Sequence, residues 1–261
     1  LPMIFVVRPI TSSNWQSSRT SLAARHARRR LKAPGRRNSR KKTPTEVSSD
    51  GHPTEAPRDC PLCPRLVDYR TDLRDENPDW FNSPVASFGE SDARLLIVGL
   101  APGVRGANRT GRPFTGDWAG DLLYSTLLKF GFAAGTYAGH AEDGLTLVDC
   151  MITNAVRCVP PQNKPVGAEI NQCRDFLKAR IAAMPRLRAI LCLGGISHAS
   201  TIRALGARVA AHKFGHGSRH EIEGLVVWGS YHCSRYNTNT GRLTTEMFED
   251  VFGQVRRDLG G

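Results

Sequence analysis

Residues 99–117, GLAPGVRGANRTGRPFTGD, set glycine-rich backbone, an aromatic ring (Phe114) and an acid (Asp117) directly after an apolar run. A phosphate cradle is the first chemistry such a stretch suggests. It lacks, however, both the GK[ST] ending of a triphosphate loop and the GxGxxG spacing of a dinucleotide loop. Exposed amides, a stackable ring and a carboxylate are instead what a nucleobase turned out of its helix requires: stacking, edge hydrogen bonds and a polar group near the sugar. A second stretch, SYHCSRYNTNTGR at 230–242, places His232 beside Cys233 and invites a thiol–imidazole nucleophile. Adjacent side chains of a strand point to opposite faces, so this pair is poorly placed to exchange a proton. The three histidines of HKFGHGSRH, 212–220, lack helical spacing and are read as a loop near phosphates rather than a metal site.

Cys60 and Cys63 form CPLC; Cys158 follows the second apolar run, and Cys173 lies on a helical stretch beyond it. No export signal accompanies the seven cysteines, which argues against a disulfide framework. Four thiolates could bind zinc, for which a close Cys pair is common. The second pair is not a close one, and scattered ligands with one close pair suit a cubane iron–sulfur cluster at least as well. Spacing leaves both open. Cys150 and Cys192 sit inside apolar runs and read as small core residues.

Positioning these groups falls to alternating elements. ARLLIVGL (93–100), LTLVDCMITNAV (145–156), RAILCLGG (188–195) and LVVWGSYH (225–232) are short, nearly continuous apolar runs, as in strands covered on both faces. Helical patterns separate and follow them at 119–130, 168–184, 196–205 and 246–259. The expected fold is α/β, a three-layer α/β/α sandwich on a mostly parallel four-stranded central sheet. Ligands of such sheets bind beyond the carboxyl ends of the strands. The loops APGVRGANRTGRPFTGD, RCVPPQNKP and CSRYNTNTGR all lie at those ends.

The formal net charge of +12 is unevenly spread: residues 1–55 hold 12 Lys/Arg against 3 Asp/Glu, the remainder 24 against 21. RRRLKAPGRRNSRKK has no apolar period, so 1–55 is expected to be a disordered basic tail and 56–261 a single domain. Such a tail could add nonspecific phosphate affinity but identifies no function. The opening LPMIFVVRPI is too short and too soon charged for a signal peptide, and no apolar run approaches a membrane span.

GLAPGVRGANRTGRPFTGD, AVRCVPPQNKP and SYHCSRYNTNTGRLT together resemble the motifs of the type-5 (B-class) uracil-DNA glycosylases, relatives of the thermostable type-4 enzymes. The resemblance runs from about Asp59 to the C-terminus, roughly four-fifths of the chain. It implies a [4Fe-4S] cluster on Cys60, Cys63, Cys158 and Cys173, with a structural role. It further implies that Phe114 stacks on the extruded base and that Asp117 orients or activates water or stabilises the cationic sugar. His232 would donate a hydrogen bond to the departing base. Gly99, Ala101, Asn163 and Asn237 match positions of the base pocket, and Asn154 a position where type-4 relatives read the base edge. Arg235 and Arg242 belong to a flexible loop expected in the minor groove. Leu100 stands where classical uracil glycosylases carry a water-activating Asp or Asn, and Cys233 where related enzymes commonly have Pro. With fewer polar tests, the pocket is expected to accept hypoxanthine and damaged pyrimidines besides uracil.

The expected activity is therefore monofunctional hydrolysis of the N-glycosidic bond, leaving an abasic site. No lysine of the motifs is placed for a Schiff base; Lys164, the nearest, is expected to contact phosphate. The partners are double- and single-stranded DNA, with no membrane. The resemblance implies a monomer acting in the cytoplasm, associated with the nucleoid in a prokaryote. The alternatives are a glycosylase acting mainly on hypoxanthine and a non-catalytic, zinc-stabilised DNA-binding module.

Overall fold

The computed structural model describes residues 46–48 and 51–260. In chain order its elements are α1 (Pro64–Glu76), β1 (Phe88–Gly89), β2 (Leu95–Gly99), α2 (Ala107–Thr110), α3 (Trp118–Lys129), β3 (Ala133–Ala134), β4 (Thr146–Leu147) and β5 (Cys150–Asn154). There follow α4 (Gly167–Ala182), β6 (Ala189–Leu193), α5 (Gly195–Ala204), β7 (Arg219–Ile222), β8 (Leu225–Ser230), α6 (Arg235–Asn239) and α7 (Thr245–Asp258).

The sheet order is β1-β5-β2-β6-β8-β7. Its four middle strands are the expected parallel ones, and the antiparallel strands β1 and β7 extend the sheet to six. Both additions escape a hydrophobic pattern: β1 is two residues long and β7 reads RHEI. The apolar run 145–156 is not one strand. Asp149 takes a left-handed conformation (φ 53°), and its carboxylate accepts hydrogen bonds from the backbone and guanidinium of Arg94. This turn breaks the run, leaving β4 paired with β3 in a small separate sheet and β5 in the main one.

Alternation along β2 sorts the core into two layers. Leu95 and Ile97 face α3 and α7, packing with Leu123, Leu127, Phe248 and Phe252. Leu96 and Val98 face α4 and α5, packing with Leu177, Ile190 and Ile202. The last helix shows why the sequence folds this way: Thr244 caps it by accepting from Met247 N, and Phe248, Val251, Phe252 and Val255 form one buried stripe. Each such burial stabilises by about 1.5–3 kcal/mol. Cys150 and Cys192 are core residues of opposite layers.

One helix has no counterpart in the sequence pattern, and two expectations change. Residues 64–76, where Pro64 starts the helix and only Leu66, Arg70 and Leu73 are buried, form an α-helix too charged to stand out in the sequence. Residues 235–239, expected as loop, form the short helix α6, capped by Ser234 Oγ accepting from Asn237 N. The domain boundary drawn at 55/56 falls inside a packed segment: Thr54 is buried, and Glu55 bridges Arg157 and Arg180. Residues 1–45, the bulk of the expected tail, lie outside the described residues. None of the described helices is long and apolar enough to cross a membrane.

Candidate active site

Parallel register brings Gly99, at the end of β2, alongside Asn154, at the end of β5; Leu193 of β6 likewise stands beside Ser230 of β8. The crevice opens where these ends meet. It is a cavity of about 440 Å³, within the range of small-molecule sites, and its lining includes Ala101, Phe114, Asp117, Asn154, Asn163, His232 and Arg235. Three loops far apart in sequence thus deliver their side chains to one place.

Phe114 sits on a turn with φ 51°, a conformation unfavourable for a side chain with a Cβ and therefore maintained by its surroundings. The hydroxyl of Tyr137 donates to the Phe114 carbonyl (3.3 Å), and that of Tyr124 donates to the Pro113 carbonyl (2.7 Å). Beneath the turn, Arg112 forms a bidentate pair with Asp143 (2.8 and 2.7 Å) and donates through Nε to Thr115 Oγ1 (2.8 Å). The held ring stacks near His232, centroids 5.8 Å apart at 29°.

Asp117 is the N-cap of α3, its Oδ1 accepting from Gly120 N at 3.2 Å. Its Oδ2 turns toward Gly103 and Gly106; a Cβ added at Gly106 would collide with that oxygen. Burial raises the Asp117 pKa above the ordinary carboxylate value, against the lowering by the Gly120 and Ala119 N–H groups. His232 lies one residue beyond Tyr231 at the end of β8, and burial pushes its pKa down to about 4. The imidazole is therefore neutral near pH 7, a hydrogen-bond donor without a charge of its own.

The His232 loop is fixed through its backbone. Asn237 Nδ2 donates to the His232 carbonyl at 2.8 Å, and Tyr231 N donates to His216 Nδ1 at 3.2 Å. His216 Nε2 faces the Met247 carbonyl at 3.2 Å, which sets its tautomer. One histidine of the 212–220 stretch thus has an internal task. Cys233, past the end of the strand, points its thiol at the Ala119 carbonyl (3.4 Å) rather than at His232.

Asn154 is 2% exposed, and its Oδ1 has no hydrogen-bond partner among the described residues. A buried amide oxygen left unpaired costs stability unless a ligand completes it. Gly99 touches both partners without lining the cavity: a Cβ there would meet Phe114 Cζ at 2.6 Å and lie closer still to Asn154 Oδ1. Gly99→Ala is accordingly expected to cost about 1–3 kcal/mol by overpacking and to reduce kcat/KM at least tenfold; unchanged melting and kinetics would show that the pocket has slack.

Among the other anticipated residues, Asn163 is exposed at the cavity wall and has φ 56°. Asn237 and Arg242 do not line it: the first buttresses His232, and the guanidinium of the second lies 4.7 Å from the Tyr231 ring centroid. Leu100 is in the lining, as are Trp118 and Tyr236, which the sequence reading passed over. Exposed aromatics in a helix or loop carry no periodic signal; only their place at a cavity mouth marks them.

On the α1/α4 side, Cys60, Cys63, Cys158 and Cys173 line one small pocket together with Arg70. Among the described residues no three His, Cys, Asp or Glu side chains are gathered closely enough to hold a single metal ion. Burial pushes the thiols of Cys158 and Cys173 up to about 11 and about 12. Arg70, 2% exposed, donates to Cys158 Sγ (3.3 Å) and to the Cys60 carbonyl (3.1 Å), and Arg157 N donates to Cys173 Sγ (3.3 Å). No carboxylate pairs with Arg70 among the described residues, and its Nε is unbonded. A buried guanidinium facing four cysteines calls for negative charge there.

Residues 86–256 match the model of the uracil DNA glycosylase superfamily. A type-5 uracil-DNA glycosylase of Thermus thermophilus is 41% identical over 209 residues, covering 77% of this chain and 94% of the relative. One from Mycobacterium tuberculosis is 40% identical over 211 residues, covering 77% and 78%. A type-4 uracil-DNA glycosylase of Archaeoglobus fulgidus is 36% identical over 111 residues, covering 42% and 48%. The matched range spans the parallel strands and the three loops that form the crevice, and the chain belongs to the uracil DNA glycosylase superfamily.

Proposed function

We propose that the protein is a DNA-repair enzyme that hydrolyses the N-glycosidic bond of uracil, and of other deaminated or damaged bases, leaving an abasic site. The observation that carries this reading is the unpaired buried amide oxygen of Asn154, set in one cavity with Phe114 and a neutral His232. A base swung out of the helix would stack on Phe114 and complete the Asn154 amide. His232 would donate to the base as negative charge develops on it, a fixed donor acting where charge appears only in the transition state. Asp117, a carboxylate more basic than usual, faces the same cavity and would orient water or stabilise the cationic sugar. Leu100 puts no acid at the start of the loop, so the chemistry leans on these two groups. Lys164 is not among the cavity-lining residues, which supports simple hydrolysis without strand cleavage.

The same reading assigns a [4Fe-4S] cluster to Cys60, Cys63, Cys158 and Cys173. Four cysteines lining one pocket, beside a buried arginine that no carboxylate pairs among the described residues, fit the four corners of such a cluster. Four thiolates on a cubane of charge +2 leave net negative charge, which Arg70 faces. When bound, the cluster supplies a cross-link between the CPLC segment and α4, so its energy is folding energy. The iron-loaded protein is expected to be brown and to lose colour and melting temperature together on oxidative chelation; a colourless zinc protein of equal stability contradicts the assignment. The protein would act as a monomer on double- and single-stranded DNA, in the cytoplasm where the nucleoid lies.

Excision from matched oligonucleotides, each with one uracil, hypoxanthine or ethenocytosine, tests the function and its breadth. Release of all three is expected, with ethenocytosine slower because it has no ring N–H to offer the buried Asn154 oxygen. Release of hypoxanthine alone would replace uracil as the substrate, and release of none would refute the enzyme reading.

The pH dependence is also set by the site. His232 must be neutral and Asp117 ionised, and their pKa values move toward each other, down to about 4 and up from 3.8. Protonation of His232 should therefore add no acid limb to single-turnover excision near 6.5, the ordinary imidazole value, and should act only on approaching about 4. A His232 ring titration centred near 6.5, followed by NMR, would mean that His232 titrates as a solvated histidine. The lowered His232 pKa also means that stability is lost as pH falls from about 6.5 toward 4, because the unfolded chain binds that proton first.

A further inference from the structure

The cavity mouth carries an aromatic group with no part in stacking on the extruded base or in stabilising its departure. Trp118, the first residue of α3, is 48% exposed and borders the cavity. It is nevertheless held in place: its Nε1 donates to Thr238 Oγ1 of α6 at 3.0 Å, and the guanidinium of Arg235 lies 5.4 Å from its ring centroid. Its backbone follows directly on the Asp117 cap. A half-exposed indole contributes little to the core, and fixing it costs side-chain entropy. Arg235 is exposed and makes no ion pair with a carboxylate among the described residues. Together they offer an immobilised ring with an available positive charge, immediately outside the place where a base would be bound.

We propose that Trp118 and Arg235 form a second nucleotide subsite, in which the base next to the extruded one stacks on the indole and the phosphate beside it pairs with the guanidinium. This deepens the glycosylase reading and rests on it. Every base has a stackable face, so the subsite is indifferent to sequence. Its contribution is greatest on single strands, where a neighbouring base has no complementary strand to keep it stacked. In duplex that base already has a stacking partner, and the gain from Trp118 is smaller. The subsite thus predicts productive binding of single-stranded as well as double-stranded substrate.

The test is a cycle between protein and DNA. Affinity is measured by fluorescence anisotropy for single-stranded oligonucleotides bearing one 2′-fluoro-2′-deoxyuridine, which resists hydrolysis. The base on its 5′ or 3′ side is either present or replaced by an abasic spacer. Removing the neighbouring base on one side is expected to weaken wild-type binding about tenfold, and Trp118→Ala to weaken binding to the complete strand by a similar factor. In the Trp118→Ala protein, removing that base should then have little further effect. Trp118→Phe should restore most of the loss, and the loss in duplex should be smaller. Wild-type affinity in Trp118→Ala, or losses that multiply independently on both sides, would overturn the proposal. Excision of ordinary deoxyuridine by the wild-type protein is scored in parallel, so that failure of the glycosylase reading is distinguished from failure of the subsite.

Discussion

Replacing His232 with Ala is expected to lower the rate of uracil excision by about 10²–10³-fold, the usual loss for one preorganised donor, while DNA affinity changes by less than about threefold. The asymmetry follows from when the interaction is made. A neutral imidazole donates weakly to a neutral base and strongly to one that is leaving with negative charge. The position of the ring is set before the reaction: Asn237 holds the His232 carbonyl, His216 holds the preceding backbone N–H, and the next residue is anchored at Ala119. Removing the side chain leaves that loop in place. Single-turnover excision and anisotropy on the same duplex measure the two effects, and equal losses in both would reduce His232 to a binding residue.

Asp143→Ala is expected to cost about 3–5 kcal/mol of stability, a fall of about 6–20 °C in Tm. Both side chains of the Arg112–Asp143 pair are nearly inaccessible, 5% and 0% exposed. The guanidinium carbon also lies 5.2, 5.3 and 5.8 Å from the ring centroids of Phe88, Tyr124 and Tyr137. Removing the acid strands a positive charge among aromatic rings and releases the Ala138 and Leu145 N–H groups that Asp143 also accepts from. Arg112 holds the Asp143 carboxyl well below the ordinary carboxylate range, so the pair's contribution is present at neutral pH and lost only as pH falls through the acid range. Because Arg112 underlies the Phe114 turn, the variant should also excise slowly at temperatures where it is still folded. A Tm within about 2 °C of wild type would show that the turn is held by other contacts.

These two residues illustrate what could be read from the chain and what could not. His232, Phe114 and Asp117 lie in dense motif loops at the ends of apolar runs, and continuous Val/Ile/Leu strands announce a sheet whose ligand crevice is at that edge. The four parallel strands and the placement of the loops follow from that pattern. Asp143 has no such signal: it is 31 residues from Arg112 in an irregular segment, and only the fold makes them neighbours. Arg70 is similarly hidden, one arginine in a charged helix, distinguished only by facing the four cysteines. The break at Asp149 was illegible because a left-handed aspartate looks like any other residue within an apolar run. Asn237, placed in the pocket by resemblance, supports it from behind, a distinction that needs hydrogen-bond geometry.

Incubating the wild-type protein with duplex DNA containing a single uracil, and assaying both products, decides whether the base is excised. Free uracil and an abasic strand in equal amount are expected, with strand breaks appearing only after alkali. Bound DNA that keeps its uracil would contradict excision and leave a DNA-binding module without catalysis.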